Sequence, residues 1–278
     1  MDISVLGGLT VRENGVPITP TAPKPRQVLA MLALHADQVV SVASLTKELW
    51  GAAPPRSARA TLQTYVLQLR ELITLALKRD AEGTPARTAK DVLVTVPGGY
   101  LLNISGGSSD VREFERLAGL GYRAMDAGDF PGAARQLREA LSLWTGAAFA
   151  DVQAGAQLSM ETRRLEETRL CALDQRIEAD LRLGRHRELL GELSVLVSRY
   201  RTHETLHGQF MLALHRSGRR TEALEVYQRL RRALVRELGL EPSAGLRRLQ
   251  RSIMMTGPEM AQDAPVSALS GERMIRVG

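Results

Sequence analysis

The sequence predicts an α+β N-terminal half followed by an all-α half, and three observations predict it. From Ser57 onward, Ala58, Leu62, Tyr65, Val66, Leu69, Leu72 and Ile73 recur with the 3.6-residue period of an amphipathic helix. Val92-Leu93-Val94-Thr95-Val96 and Leu101-Leu102 then flank Pro97-Gly98-Gly99-Tyr100, two β runs around a turn. Beyond Asp110 every segment reads as helix, and a glycine-led motif repeats. Gly184-Arg185-His186-Arg187-Glu188-Leu189-Leu190 aligns with Gly218-Arg219-Arg220-Thr221-Glu222-Ala223-Leu224, 34 residues on. A polar-faced helix followed by a hairpin is the order of a winged helix. A 34-residue period with a glycine between helices is the tetratricopeptide arrangement. The predicted fold is an N-terminal winged helix followed by a tetratricopeptide-like helical repeat domain.

Each element has a local reason. Residues 1 to 20 alternate Ile3, Val5, Leu9, Val11, Val16 and Ile18 between Gly7-Gly8 and Asn14-Gly15, the latter a two-residue hairpin signal. Lys24 to His35 changes to a helical period. Val39-Val40 is a short extended piece, and Ser41 caps a second helix that ends at Gly51. Pro54-Pro55 cannot continue a helix backwards, so the third helix starts at Ser57. Residues 79 to 91 read as a loop. Gly128-Asp129-Phe130-Pro131-Gly132-Ala133-Ala134 fits the repeat template less strictly. The last helix runs from Ser243 to Met254. The expected division is 1–105 for the winged helix, 106–109 (Gly-Gly-Ser-Ser) for a linker, 110–255 for the helical domain and 256–278 for a disordered tail.

Composition bounds the partners. The net charge is +6 with a pI near 9.9, which permits an anionic partner. The surplus is localised: Pro54 to Lys90 holds seven Arg or Lys against three acids. Cys171 is the only cysteine, so no disulfide forms within the chain, and a small buried apolar role is expected for it. No stretch has the roughly 18 apolar residues needed to span a bilayer, and no secretory signal is recognisable, so a cytoplasmic location is expected. The outward side of the third helix carries Arg56, Ala60, Gln63, Thr64, Leu67 and Glu71, flanked by Arg59, Gln68 and Arg70. The face has almost no carboxylate and is rich in groups that bond phosphates and base edges, which points to DNA recognition.

Leu49-Trp50-Gly51, Pro54-Pro55-Arg56-Ser57-Ala58-Arg59, Leu62-Gln63-Thr64-Tyr65-Val66, Leu69-Arg70 and Pro97-Gly98-Gly99-Tyr100 resemble the OmpR-type winged helix of the Streptomyces antibiotic regulatory protein (SARP) family. The helical half resembles that family's bacterial transcriptional activation domain. The resemblance runs through Ala140-Leu141-Ser142-Leu143-Trp144, Ile177-Glu178-Ala179-Asp180-Leu181, Met211-Leu212-Ala213-Leu214 and Glu237-Leu238-Gly239-Leu240-Glu241-Pro242. It covers residues 1 to 255 and implies a nucleoid-associated activator of secondary-metabolite gene clusters. Such a protein binds direct repeats in double-stranded DNA near promoters as a side-by-side homodimer. It recruits RNA polymerase holoenzyme through sigma and core subunits, without a cofactor. Carried over by position, Arg59, Gln63, Thr64, Leu67, Gln68 and Arg70 would contact bases. Lys24, Arg26, Trp50 and Arg56 would lie on the DNA backbone, and Lys90 and Thr95 would belong to the wing.

Two features of the sequence fit other classes of protein. In one, the repeats make the chain a protein-binding adaptor without specific DNA binding. In the other, His203-Glu204-Thr205-Leu206-His207 matches H-E-x-x-H, which on a helix places two imidazoles to hold zinc beside a glutamate base. A third ligand is missing at the usual positions, so neither a metal site nor catalytic residues are expected. None of the lysines at 24, 47, 78 and 90 follows a glycine, which excludes a phosphate-binding G-K-[ST] loop.

Overall fold

The computed structural model describes residues 1–78 and 87–255. Most of the loop expected over 79–91, and all of the tail expected over 256–278, lie outside the described residues. The chain forms two compact units: Met1–Gly119 with Arg138–Ala172, and Leu120–Leu137 with the chain from Leu173 onward.

In the first unit, β1 (Asp2–Ser4) pairs antiparallel with β2 (Thr10–Glu13), which pairs with β3 (Val16–Pro17). Asn14 and Gly15 turn that hairpin with φ of 50° and 74°, both left-handed, as a two-residue turn requires. Helix α1 (Pro23–Leu34) opens on proline, and α2 (Val42–Trp50) is capped by Ser41, whose Oγ accepts the Ser44 amide at 3.0 Å. Helix α3 (Ala58–Lys78) buries Ala58, Leu62, Val66, Leu69, Ile73 and Ala76 against a core that includes Val28, Leu29, Leu32 and Leu45. Strand β4 (Val39–Ser41) precedes α2. After the short α4 (Ala89–Val92) come β5 (Leu93–Val96) and β6 (Gly99–Leu102), in a sheet of order β4-β6-β5.

Residues 106–109 are more than a linker. Ser108–Ser109 form β7, pairing parallel with β1 in the register Asp2↔Ser108 and Ile3↔Ser109. The Asp110 carboxylate then accepts the Val5 and Leu6 amides at 2.7 and 2.9 Å. The chain from Thr145 to Ala150 returns to the same place, with its amides bonding the carbonyls of Leu6, Val5 and Gly7. Glu48 is 3% exposed, and its carboxylate accepts the amides of Gly155, Gln157 and Leu158 at the start of α7 (Ala156–Arg182). These long-range polar bonds unite the winged helix with the beginnings of α5 (Asp110–Asp126) and α7. Composition alone places a boundary at Gly106 because it cannot see such bonds.

The second unit stacks the end of α5, the start of α6 (Phe130–Ser142), the end of α7, α8 (Leu190–Arg199), α9 (Glu204–Arg216), α10 (Arg220–Leu238) and α11 (Ala244–Met255). The repeat glycines share one geometry. Gly128, Gly184 and Gly218 have φ of 75°, 76° and 81°. The amides that follow them, of Asp129, Arg185 and Arg219, reach back to Ala124, Asp180 and Leu214 at 2.9, 3.0 and 2.9 Å. This is the 6→1 bond of a Schellman helix end, for which a left-handed glycine is the least strained residue. The repeats diverge after the turn: α10 begins two residues past Gly218, whereas α8 begins only at Leu190. Cys171 is exposed, contrary to the buried role expected of it. Leu165, Ala172 and Ala179 mark the inward stripe of α7, and Cys171 falls one step off that phase.

Candidate nucleic-acid interface

Arg59, Gln63, Thr64, Leu67 and Gln68 are all exposed on α3, with Arg56 exposed just before its first turn. Leu67 is 57% exposed, an uncovered apolar side chain at the middle of this face. The Thr64 hydroxyl donates to the Ala60 carbonyl at 3.1 Å, which commits its proton to the helix. Glu71 is the single acid on the outward side.

The hairpin stands beside this helix. Val96 and Gly99 pair across Pro97-Gly98, with Gly98 at φ 79°. The Gly98 carbonyl accepts the Val42 amide at 2.9 Å, which ties the turn to the start of α2. Gly99 has no space for a side chain, because a Cβ there would sit 2.5 Å from the Val40 carbonyl oxygen. A shallow depression of about 110 Å³ lies between α3 and the hairpin, lined by Arg59, Gln63, Thr95, Val96 and Gly98 among others. The structure thus brings the two predicted parts of the site, helix and wing, to one surface.

Several predicted contacts are committed to the protein itself. Arg70 is half-buried and donates to the Leu93 carbonyl and the Thr95 hydroxyl, so it braces the wing where a base contact was expected. Arg26 pairs with Asp151 and donates to the carbonyls of Leu9 and Pro20, where a phosphate contact was expected. Lys24 donates to the Leu49 carbonyl at 2.7 Å, satisfying a carbonyl at the end of α2. In each case a nearby acceptor within the fold takes the donor. Trp50 is half-buried at the last position of α2. Lys90 is exposed on α4, ahead of the hairpin strands. Beside it, the Thr88 hydroxyl and amide hold the Asp91 carboxyl below its ordinary pKa.

The H-E-x-x-H segment does not have metal-site geometry. His203 is the N-cap residue of α9, its Nδ1 facing the Leu206 amide at 3.4 Å. Its Nε2 lies 3.7 Å from the Asp174 carboxylate. His207 is buried one turn later with Nδ1 against the His203 carbonyl, and burial lowers its pKa. Glu204 accepts the Ser243 amide at 2.9 Å. The two imidazoles serve a helix start and a core, and among the described residues no group of three or more His, Cys, Asp or Glu could hold a metal.

Residues 17–82 match the family described as "Transcriptional regulatory protein, C terminal", and residues 109–254 match "Bacterial transcriptional activator domain". Together with the fold, these define a bacterial transcriptional regulator. The chain is 51% identical over 265 residues to Regulatory protein DnrI of Streptomyces peucetius, covering 95% of this chain and 96% of DnrI. It is 34% identical over 273 residues to Regulatory protein AfsR of Streptomyces coelicolor, of which it spans 26%. The structure superposes with a TM-score of 0.82 on Mycobacterium tuberculosis EmbR, solved in complex with a low-affinity phosphopeptide. That match has 30% identity and covers 97% of this chain and 69% of the EmbR chain. The chain belongs to the Streptomyces antibiotic regulatory protein family of transcriptional activators. Among the described residues no helix is long and apolar enough to cross a membrane.

Proposed function

We propose that the chain switches on a secondary-metabolite gene cluster by laying α3 in the major groove of direct repeats near the promoter. Two copies bind side by side and recruit RNA polymerase holoenzyme through its sigma and core subunits, in the cytoplasm at the nucleoid. The observation that carries this reading is the outward face of α3, where Arg59, Gln63, Thr64, Leu67 and Gln68 stand exposed beside a hairpin. Gln63 and Gln68 offer paired amide groups suited to adenine edges, Arg59 suits guanine, and Leu67 suits a thymine methyl. Thr64 contributes its methyl to the same surface. Arg56 and Trp50 flank the groove at the phosphates, with Lys90 and Thr95 on the wing side, while Lys24 holds the end of α2. Arg26 and Arg70 act by positioning these elements. A single winged helix buries roughly 600–1,000 Å² on DNA, so adjacent copies supply the affinity that one module lacks.

The test is a mobility-shift titration on promoter fragments from the neighbouring gene cluster at several salt concentrations. Affinity is expected to fall steeply with salt, because each neutralised phosphate releases counterions. Gln63→Ala is expected to relax base preference at one position, and Arg56→Ala to weaken all sequences evenly and flatten the salt slope. Sequence-blind, salt-insensitive binding would overturn the proposal.

A further inference from the structure

The helical unit carries a groove whose chemistry the DNA reading leaves unused. It has a volume of about 670 Å³ and is bounded by α8 and α10, with α9 contributing His207 and Phe210. Its apolar lining is Val197, Phe210, Val226 and Ala233. Around these stand Arg201, Arg229, Arg232 and Arg236, and no carboxylate lines it.

The arginines of α10 are treated differently according to the face they occupy. Arg231 forms a two-bond pair with Glu241, at 2.7 Å for both bonds. Arg219, which precedes the helix, pairs in the same way with Glu222. Inside the groove, Arg201 and Arg229 are exposed and form no salt bridge among the described residues. Arg232 donates only to the Gln228 carbonyl of its own helix, and Arg236 meets Glu237 at the exposed rim. Two guanidinium groups without a salt bridge, beside two whose partners lie on their own helix, stand over an apolar floor and suit an external anion.

Spacing decides which kind of anion. Arg229, Arg232 and Arg236 fall at i, i+3 and i+7 on one face, a row roughly 10 Å long at 1.5 Å per residue. A single phosphate reaches one end of that row. A peptide with carboxylates on successive turns reaches all of it, and its apolar side chains cover the floor. We infer that this groove docks an acidic segment of a partner protein, one with apolar residues between its carboxylates. The inference rests on the reading of the chain as an activator that works through a protein partner, and it assigns that partner a surface separate from α3.

The test uses the full chain and a fluorescein-labelled Glu/Leu peptide of about 12 residues, enough to span the groove when extended. Two comparison peptides replace its leucines by serine or its glutamates by lysine. The Glu/Leu peptide is expected to bind, the lysine version not to bind, and the serine version to bind about fivefold more weakly for want of apolar burial. Arg229→Glu with Arg236→Glu is expected to lower affinity at least about tenfold, whereas Arg219→Glu, outside the groove, changes it less than about twofold. If the charge-reversed protein does not fold, judged by circular dichroism, Arg229→Gln with Arg236→Gln takes its place with the same direction expected. Undiminished binding to the groove variants, or full displacement of the peptide by inorganic phosphate, would overturn the inference. A mobility shift on the same variants separates the two readings. Lost peptide binding with DNA binding kept supports the groove. Lost DNA binding in wild type with groove-dependent peptide binding kept overturns only the α3 reading.

Discussion

Arg70 grips Leu93: its Nε and Nη2 both donate to the Leu93 carbonyl, at 3.1 and 2.7 Å, and Nη2 also reaches the Thr95 hydroxyl at 2.7 Å. One guanidinium therefore fixes the angle between α3 and the first strand of the wing. Arg70→Ala should remove charge-assisted bonds worth about 1.5–3 kcal/mol. Amide exchange across Leu93–Leu102 should accelerate, and DNA affinity should fall evenly across sequences. Arg70→Lys should rescue little, because an ammonium cannot reproduce the planar fork. Unchanged exchange in the hairpin would show that the brace is idle.

Glu48 plays a comparable part at the junction of α2 with the start of α7. Its carboxylate accepts three amides at the start of α7 and the Gln27 side chain at 2.9 Å. Carboxylates are favoured at a helix N-terminus by the free N–H groups and the dipole there. Glu48→Ala should strip those amides of their partner and cost about 2–4 kcal/mol of unfolding free energy. Glu48→Gln, nearly isosteric, should cost less. Urea denaturation followed by circular dichroism reads both.

Asp174 supplies a pH dependence. Burial pushes its carboxyl from an ordinary 3.8 up to about 7. Below about pH 4 the group is protonated in both the folded and unfolded chain, so nothing is lost there. As pH rises toward 7 the unfolded chain releases its proton first, and stability declines through that window. Protonated His203, at 3.7 Å, would partly offset this. Asp174→Asn is therefore expected to raise stability at pH 8, by up to ~4 kcal/mol, and to change it little at pH 4. A gain of equal size at both pH values would contradict the assignment.

Gly218 tests the repeat turn. At φ 81° an alanine is strained, yet its Cβ would meet nothing within 4 Å. Gly218→Ala should therefore cost only the backbone term, about 1–2 kcal/mol, measurable as a lowered melting temperature. Gly155→Ala is the contrast, because its Cβ would lie 2.2 Å from the Glu48 carbonyl oxygen. That substitution should be the more damaging of the two.

What sequence reasoning could read depended on how far apart the partners are. The α3 stripe, the Asn14-Gly15 turn, the Ser41 cap and the repeat glycines are written in neighbours a few residues apart. All of them stand in the structure. The exposed set on α3 followed from the same periodicity. The commitments of Arg26 and Arg70 did not, because the Asp151 carboxylate and the Leu93 carbonyl lie 125 and 23 residues away, beyond the reach of any helical or strand period. Glu48 gave no signal either: an acid one residue before Leu49 in an amphipathic helix looks like a surface charge. The exposure of Cys171 was within reach, since the phase of Leu165, Ala172 and Ala179 sets it outside the stripe.

The parallel pairing of β7 with β1 has a consequence for dissecting the molecule. A fragment ending at Ser105 would bare one edge of its first strand. It would also leave the Val5, Leu6 and Leu9 amides without the Asp110 and Asp151 carboxylates that now receive them. The winged helix is thus not a cassette that can be cut out at its apparent border. Grafting it onto a different helical partner would mean transplanting those acids, and the loop that carries Gly155, along with it.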